Sequence, residues 1–412
     1  MSSEPVSSEP LPASNAASES SQTREAPELS RARAAVGFVF FVNGAVVATW
    51  ASRIPAIQVK LALGTGNLGI ALLSMAFGAL AAMSFAGALS ARFGSRPVIV
   101  WTLVFTCLTL IFPAYAPDLT SLSASVAALG LFAGSMDVAM NAHAVAVERA
   151  YQRPIMSAFH ALFSIGGIAG ACLGAVMASL KISPELHFPA VAAVLLLSGL
   201  LCKGWLLPAS ADKTGAKVSG SMHLDTLKLL SSSSFLLALS VMMFCCFLVE
   251  GAMGDWSGVF LQQSLKTDAG FAALGYAGFS VAMTAGRLLG DKLNTRFGAA
   301  AMVRYGCLVA LVGLCLIIFP ANPVLALFGF SLIGLGVANI VPICFTSAGN
   351  APNMEPGPTI ATVALVGYFG LLAGPPIIGF AAEILTLRVA LALLCILLIS
   401  MIFLARFVRS AP

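Results

Sequence analysis

From residue 34 onward the chain alternates between apolar runs of about 20 residues and short polar joints. Each run is long enough to cross about 30 Å of hydrocarbon as a helix. The runs fall near 34–57, 67–90, 97–116, 119–147, 154–180, 187–207, 234–261, 269–290, 299–319, 323–349, 357–382 and 389–407. They predict an all-α membrane protein of twelve transmembrane helices. Two polar stretches break the pattern. Residues 1–32 repeat Ser, Glu, Pro and Ala, which reads as a disordered tail and not as a signal or transit peptide. Residues 209–233 form a connection longer than the others and separate a six-helix bundle at 33–208 from a second at 234–412.

Composition agrees with this pattern and excludes a water-facing globule. The 412 residues are 59% hydrophobic and 9% charged, with a mean hydropathy of +0.95, against about 25% charged residues in soluble domains. The nine cysteines sit in or beside apolar runs, without CxxC or Cys/His ligand spacing. They read as small hydrophobes, so neither a metal nor a cofactor is expected. There is no phosphate-binding P-loop, nucleophile elbow or zincin helix, and an enzyme is not expected. Nothing points to nucleic acid, and a monomer is expected. With both termini placed in the cytoplasm, sixteen Lys and Arg residues lie on the inner side. Only Lys60, Lys181, Lys266 and Arg388 lie outside. That bias fixes the orientation, with residues 1–32 and 209–233 cytoplasmic.

The two six-helix segments are related. An offset of 204 residues lays Arg92-Phe93-Gly94 on Arg296-Phe297-Gly298, Gly130-Leu131 on Gly334-Leu335, and Gly166 and Gly170 on Gly370 and Gly374. Parallel repeats of this kind, packed about an axis along the membrane normal, place a substrate site midway between two pseudo-symmetric halves. The segment Gly87-Ala-Leu-Ser-Ala-Arg92-Phe-Gly94-Ser-Arg96 resembles the loop motif G-x-L-a-D-R-x-G-R-R of the major facilitator superfamily. Gly286-Arg287-Leu-Leu-Gly290-Asp291 with Arg296-Phe-Gly298 resembles its echo in the second half. Ala91 and Thr295 stand where the motif carries Asp, so a charge relay through that acid is not implied. The motif assigns Arg92, Arg96, Arg287 and Asp291 gating or structural roles. The strings Asn43-Gly44, Trp50-Ala-Ser-Arg53-Ile-Pro55, Asp137-Val-Ala-Met-Asn141-Ala-His143, Met156-Ser-Ala-Phe159-His160, Glu250-Gly-Ala-Met-Gly-Asp255-Trp256 and Gly374-Pro-Pro-Ile-Ile-Gly379 resemble a MosC-like subgroup of bacterial inner-membrane transporters. That resemblance implies a polyol or amino-polyol as one candidate substrate.

Charges inside hydrocarbon are costly, about 2.5–3.5 kcal/mol at a helix centre, so the few present mark function. Glu250 lies about 24 Å along its helix from the cytoplasm and is the first candidate for proton coupling. Asp255, about 140° further round the same helix, reads as a gate or a structural pair. Asp137, Asn141 and Glu148 form one stripe; Asp137 is either a proton or substrate contact or a brace for the inner arginines. His160 is the third proton-coupling candidate, with interhelical hydrogen bonding as its alternative. Asn43 and Trp50 share a face and suit a sugar-like ring; Asn141, Asn339 and Tyr368 complete the substrate-binding set, each equally readable as helix–helix glue. Arg53, near the outer end of span one, either snorkels or attracts an anion into the outer vestibule. Gly374-Pro375 suggests a hinge in span eleven.

The reading is a secondary active transporter that moves a small polar solute across the inner membrane by alternating access with proton coupling. The alternatives are a proton-driven drug or metabolite exporter, and a non-transporting membrane sensor on the same fold.

Overall fold

The structure, a computed structural model, describes residues 14–63, 65–213, 230–231, 233–267 and 269–408. The helices of the first half are α1 (Ser14–Lys60), α2 (Thr65–Phe93), α3 (Ser95–Tyr115), α4 (Leu119–Tyr151), α5 (Met156–Ser179) and α6 (Pro184–Trp205). Those of the second half are α7 (Ser234–Ser264), α8 (Ala269–Phe297), α9 (Ala299–Ile318), α10 (Pro323–Gly349), α11 (Pro356–Ile384) and α12 (Leu387–Phe407). Among the described residues eleven of these are long and apolar enough to cross a membrane by that measure alone. The exception is α8, whose 29 residues include Arg287, Asp291, Lys292 and Arg296. Its charges are what set it apart, and two of them prove to hold the halves together.

One boundary differs from expectation. Helix α1 begins at Ser14, inside the stretch expected to be a disordered tail. Ala, Glu and Arg are frequent there and extend a helix cheaply once the apolar span has nucleated it. Residues 1–13 and most of the central connection, 214–229, lie outside the described residues. What is described of that connection folds back on the first half: Asp212 accepts the Ser95 amide at 3.1 Å.

The repeat is visible in backbone detail. Gly94 and Gly298 cap α3 and α9 with φ of 83° and 80°, a left-handed conformation in which a side chain would be strained. These two turns mark one end of the bundle, its basic end. Gly130 packs against the Met75 backbone and Gly334 against that of Phe279, positions 204 residues apart in both partners. The resulting α2–α4 and α8–α10 approaches leave no room for a Cβ. Gly166, Gly170 and Gly174 of α5 descend along α1 in the same way, against Phe41, Ala45 and Ser52. The groove lined by Phe85, Phe93 and Trp101 has its counterpart in Leu289, Phe297 and Tyr305. Side chains such as Phe77, Leu201, Phe319, Ile396 and Phe403 lie bare on the outer surface, where only lipid accepts them without cost.

Candidate functional site

The two halves are stitched together at the basic end. The amide groups that open α5 have no intrahelical acceptors and form the positive end of its dipole. Two carboxylates take four of them in succession. Glu148, from the end of α4, accepts Ile155 N at 2.8 Å and Met156 N at 2.9 Å. Asp291, from α8 in the other half, accepts Ser157 N and Ala158 N, each at 2.9 Å. Glu148 also accepts the Thr346 hydroxyl of α10 at 2.6 Å, so both acids bridge the halves. Arg149 adds bonds to Asn350 Oδ1 at 2.6 Å and to the Gly349 carbonyl. On the other flank Gly87 of α2 lies against the Gly357 backbone and the Ala361 methyl of α11, with no room for a Cβ of its own. Among the described residues the hydrogen bonds at the opposite end stay within one half, as in Lys60 to Glu185 at 2.5 Å and Arg53 to the Ile182 carbonyl at 2.7 Å. The bundle is thus closed at its basic end.

Between the ends lies a polar cluster organised by Arg287. Pro342 has no amide hydrogen, so the Ala338 carbonyl four residues earlier in α10 loses its helical donor, and the helix breaks at Ala338–Asn339. Arg287 Nε fills that gap at 3.2 Å. Its Nη1 donates to Ser164 Oγ of α5 at 2.8 Å, and its Nη2 lies 3.6 Å from Glu250 Oε1 of α7. One guanidinium therefore ties α8 to α10, to α7 and to the other half. The Cys246 thiol, one turn before Glu250, also points to its Oε1 at 3.7 Å.

The first half contributes a relay of its own. Asn141 Nδ2 donates to the Asp137 carbonyl at 2.8 Å and lies 3.4 Å from its carboxylate. Asn141 Oδ1 is 3.2 Å from His160 Nε2; with the amide so oriented, the imidazole proton sits on Nε2. The His160 ring stacks on Phe345 of α10 at 5.8 Å and meets Phe40 edge-on at 5.2 Å. Asp137 is half-buried and makes no ion pair among the described residues. Tyr368 of α11 packs edge-on against Phe247 of α7, one turn before Glu250, at 5.4 Å. Acids from α4 and α7, a base from α8, an imidazole from α5 and a phenol from α11 thus converge from both halves.

Other candidates lie elsewhere. Asn43 is buried between α1 and α4, donating toward the Ala133 carbonyl at 3.4 Å and Met140 Sδ at 3.8 Å. Trp50 is buried against Phe188 of α6. The face they share is turned into the first half and not into the polar cluster. Asn339 binds the Gly286 carbonyl at 3.0 Å and joins α10 to α8. Asp255 is exposed and pairs with no cation among the described residues, so the structural pair expected of it is absent there. Helix α11 runs unbroken through Gly374 and Pro375; the break belongs to α10. Gly374 is buried on Leu248 of α7, whose packing supports the helix through this point. Arg92 and Arg296 lie exposed over Phe93 and Phe297 at the basic end. Arg287 does not join them at the basic end, since it is buried mid-helix. Sequence reasoning missed its pairing with Glu250 and the double capping of α5. The signals were present in Pro342, four residues beyond Ala338, and in Glu148, eight residues before the start of α5.

The chain as a whole is similar to known proteins. An uncharacterised MFS-type transporter of Yersinia pestis is 36% identical over 369 residues, 90% of this chain and 94% of the relative. The membrane protein MosC of Rhizobium meliloti is 33% identical over 357 residues, 87% and 85% of the two chains. Among solved structures, the fucose:proton symporter FucP of E. coli superposes with a TM-score of 0.76 at 18% identity, covering 91% of this chain and 97% of its own. FucP in its outward conformation gives 0.75 at 17% identity, with coverage of 91% and 97%. The Major Facilitator Superfamily profile matches residues 36–353. With twelve helices in two repeated halves around a shared polar centre, the chain belongs to the Major Facilitator Superfamily of membrane transporters.

Proposed function

We propose that this transporter is proton-coupled, carries a small polar solute of the polyol, sugar or amino-polyol class, and does so across the bacterial inner membrane. The basic end faces the cytoplasm, with both termini inside, and the conformation is outward-open. The positive-inside bias supports that orientation, and closure at the basic end supports that state.

The observation that carries the proposal is the Glu250–Arg287 pair with its bond to Ser164. A carboxylate whose neighbour is a guanidinium can exchange that neighbour for a proton without leaving an uncompensated charge on itself. Protonation of Glu250 from the outer side frees one edge of Arg287. The guanidinium keeps its Ala338 and Ser164 contacts and offers the freed edge to a solute hydroxyl. Asp137, Asn141 and Tyr368 supply acceptors, a donor and a ring face from the other sides, the complement a polyol or amino-polyol needs. When the closure at the basic end opens, Glu250 returns its proton inward and recaptures Arg287. The likeness to a fucose:proton symporter and to MosC supports the same class.

A thermal-shift screen of the purified protein against polyols, amino-sugars, organic acids and cationic drugs tests the substrate class. Stabilisation confined to polyols and amino-sugars is expected. Stabilisation by structurally diverse drugs, followed by their efflux, would replace this reading with that of an exporter.

A further inference from the structure

Away from the central cluster, near the opposite end of the first half, a second basic group is buried without a counter-charge. Arg53 of α1 is 4% exposed. Its Nη2 donates to the Ile182 carbonyl in the α5–α6 turn at 2.7 Å, while Nε and Nη1 have no hydrogen-bond partner among the described residues. His187, in the first turn of α6, is 2% exposed and shares the surroundings of Gly174 with Ser52, the neighbour of Arg53 on α1; both of its ring nitrogens are equally unpartnered. One turn deeper on the same face of α1, the buried hydroxyl of Thr49 also lacks a partner. The nearest acid in sequence, Glu185, is taken by Lys60 at 2.5 Å, and that ammonium also binds the Ala114 carbonyl at 2.6 Å. Ser183, which caps α6, makes no side-chain cap bond, so the positive end of that dipole adds to the same field.

The unmet Nε and Nη1 of Arg53 can only donate, and one ring nitrogen of a neutral His187 and the Thr49 hydroxyl can donate beside them. A buried guanidinium with one carbonyl and no anion is strongly disfavoured, and a water molecule would satisfy an N–H while leaving the charge uncompensated. We propose that Arg53 and His187 form a binding site for a small monovalent inorganic anion of the chloride type, held between α1 and the start of α6. The low exposure of both residues favours a small ion over a larger organic anion. Bound there, the ion clips the outer part of α1 to the α5–α6 turn and stiffens that end of the first half. The site is separate from the central cluster and stands whether or not transport is proton-coupled.

The test compares melting of the purified full chain in sodium gluconate, chloride and bromide at equal ionic strength. The unaltered protein is expected to melt several degrees higher in the halides, with a saturable dependence on concentration. Arg53→Met and His187→Phe are expected to lose that dependence, and Arg53→Lys to keep part of it. Crystals of the unaltered chain grown in bromide are expected to show an anomalous peak within hydrogen-bonding reach of Arg53 and His187, a readout that does not require any variant to fold. Identical melting in all three salts, a halide effect retained in the variants, or no anomalous peak there would each overturn the site.

Discussion

Arg287 has three partners on three other helices, and each exists for a local reason: a proline-freed carbonyl, a serine hydroxyl and a buried acid. Because both charges are largely removed from water, losing one partner harms more than losing both. Glu250→Gln and Arg287→Met should each destabilise the protein by about 3–5 kcal/mol, and the double variant should recover part of that loss. Melting of the four proteins checks this, and additive losses would mean that the pair is not coupled. At this scale the sequence was only partly legible. Depth along a helix was enough to nominate Glu250, because a carboxylate in hydrocarbon is conspicuous whatever it touches. Arg287 sat inside a loop-like motif, and its true level depends on a break in α10 that no helical wheel records. Asn43 and Trp50 do share a face, but a shared face does not say whether it is turned to the central cluster or to a neighbouring helix.

Helix α5 opens the account of elements, because its first turn is where the halves meet. Asp291→Asn keeps the shape but removes the charge that meets two amides and the helix dipole. Hydrogen exchange at Ser157 and Ala158 is therefore expected to quicken by about tenfold or more, while exchange in α1 stays unchanged. Unaltered protection would show that Asp291 does not hold this end closed. The start of α4 offers a pH readout outside the membrane. Asp118 accepts Ser121 N at 2.8 Å and the Ser121 hydroxyl at 2.9 Å, which hold its carboxyl below the ordinary value of 3.8. A lowered acid contributes stability that is complete above its ordinary value and fades as pH falls through the lowered one. Asp118→Ala should thus melt below the unaltered protein near neutral pH, with the gap narrowing below about pH 4. A gap independent of pH would contradict a charged cap. The Asp118–Ser121 cap has a sequence signature; the capping of α5 has only half of one, since Glu148 is close in sequence while the second acid lies 134 residues away.

At the scale of the whole molecule the fold was legible because a helix in lipid must satisfy its own backbone, so apolar length marks the spans, and the repeat supports α8, whose charges set it apart. The repeat offset of 204 was legible because close helix approach demands small residues at the same places in both halves. Which end is closed was not legible, since both states of an alternating-access transporter use the same helices. That closure is instead written in contacts between Glu148, Asp291 and α5. The central claim, that solute and proton move together through the Glu250–Arg287 centre, is tested most directly in proteoliposomes carrying an internal pH dye. A solute found by the binding screen is added outside, without an imposed gradient. The unaltered protein should acidify the lumen only when that solute is present, and Glu250→Gln should still bind the solute but move no protons. Solute uptake without acidification, or acidification undiminished in Glu250→Gln, would contradict the account.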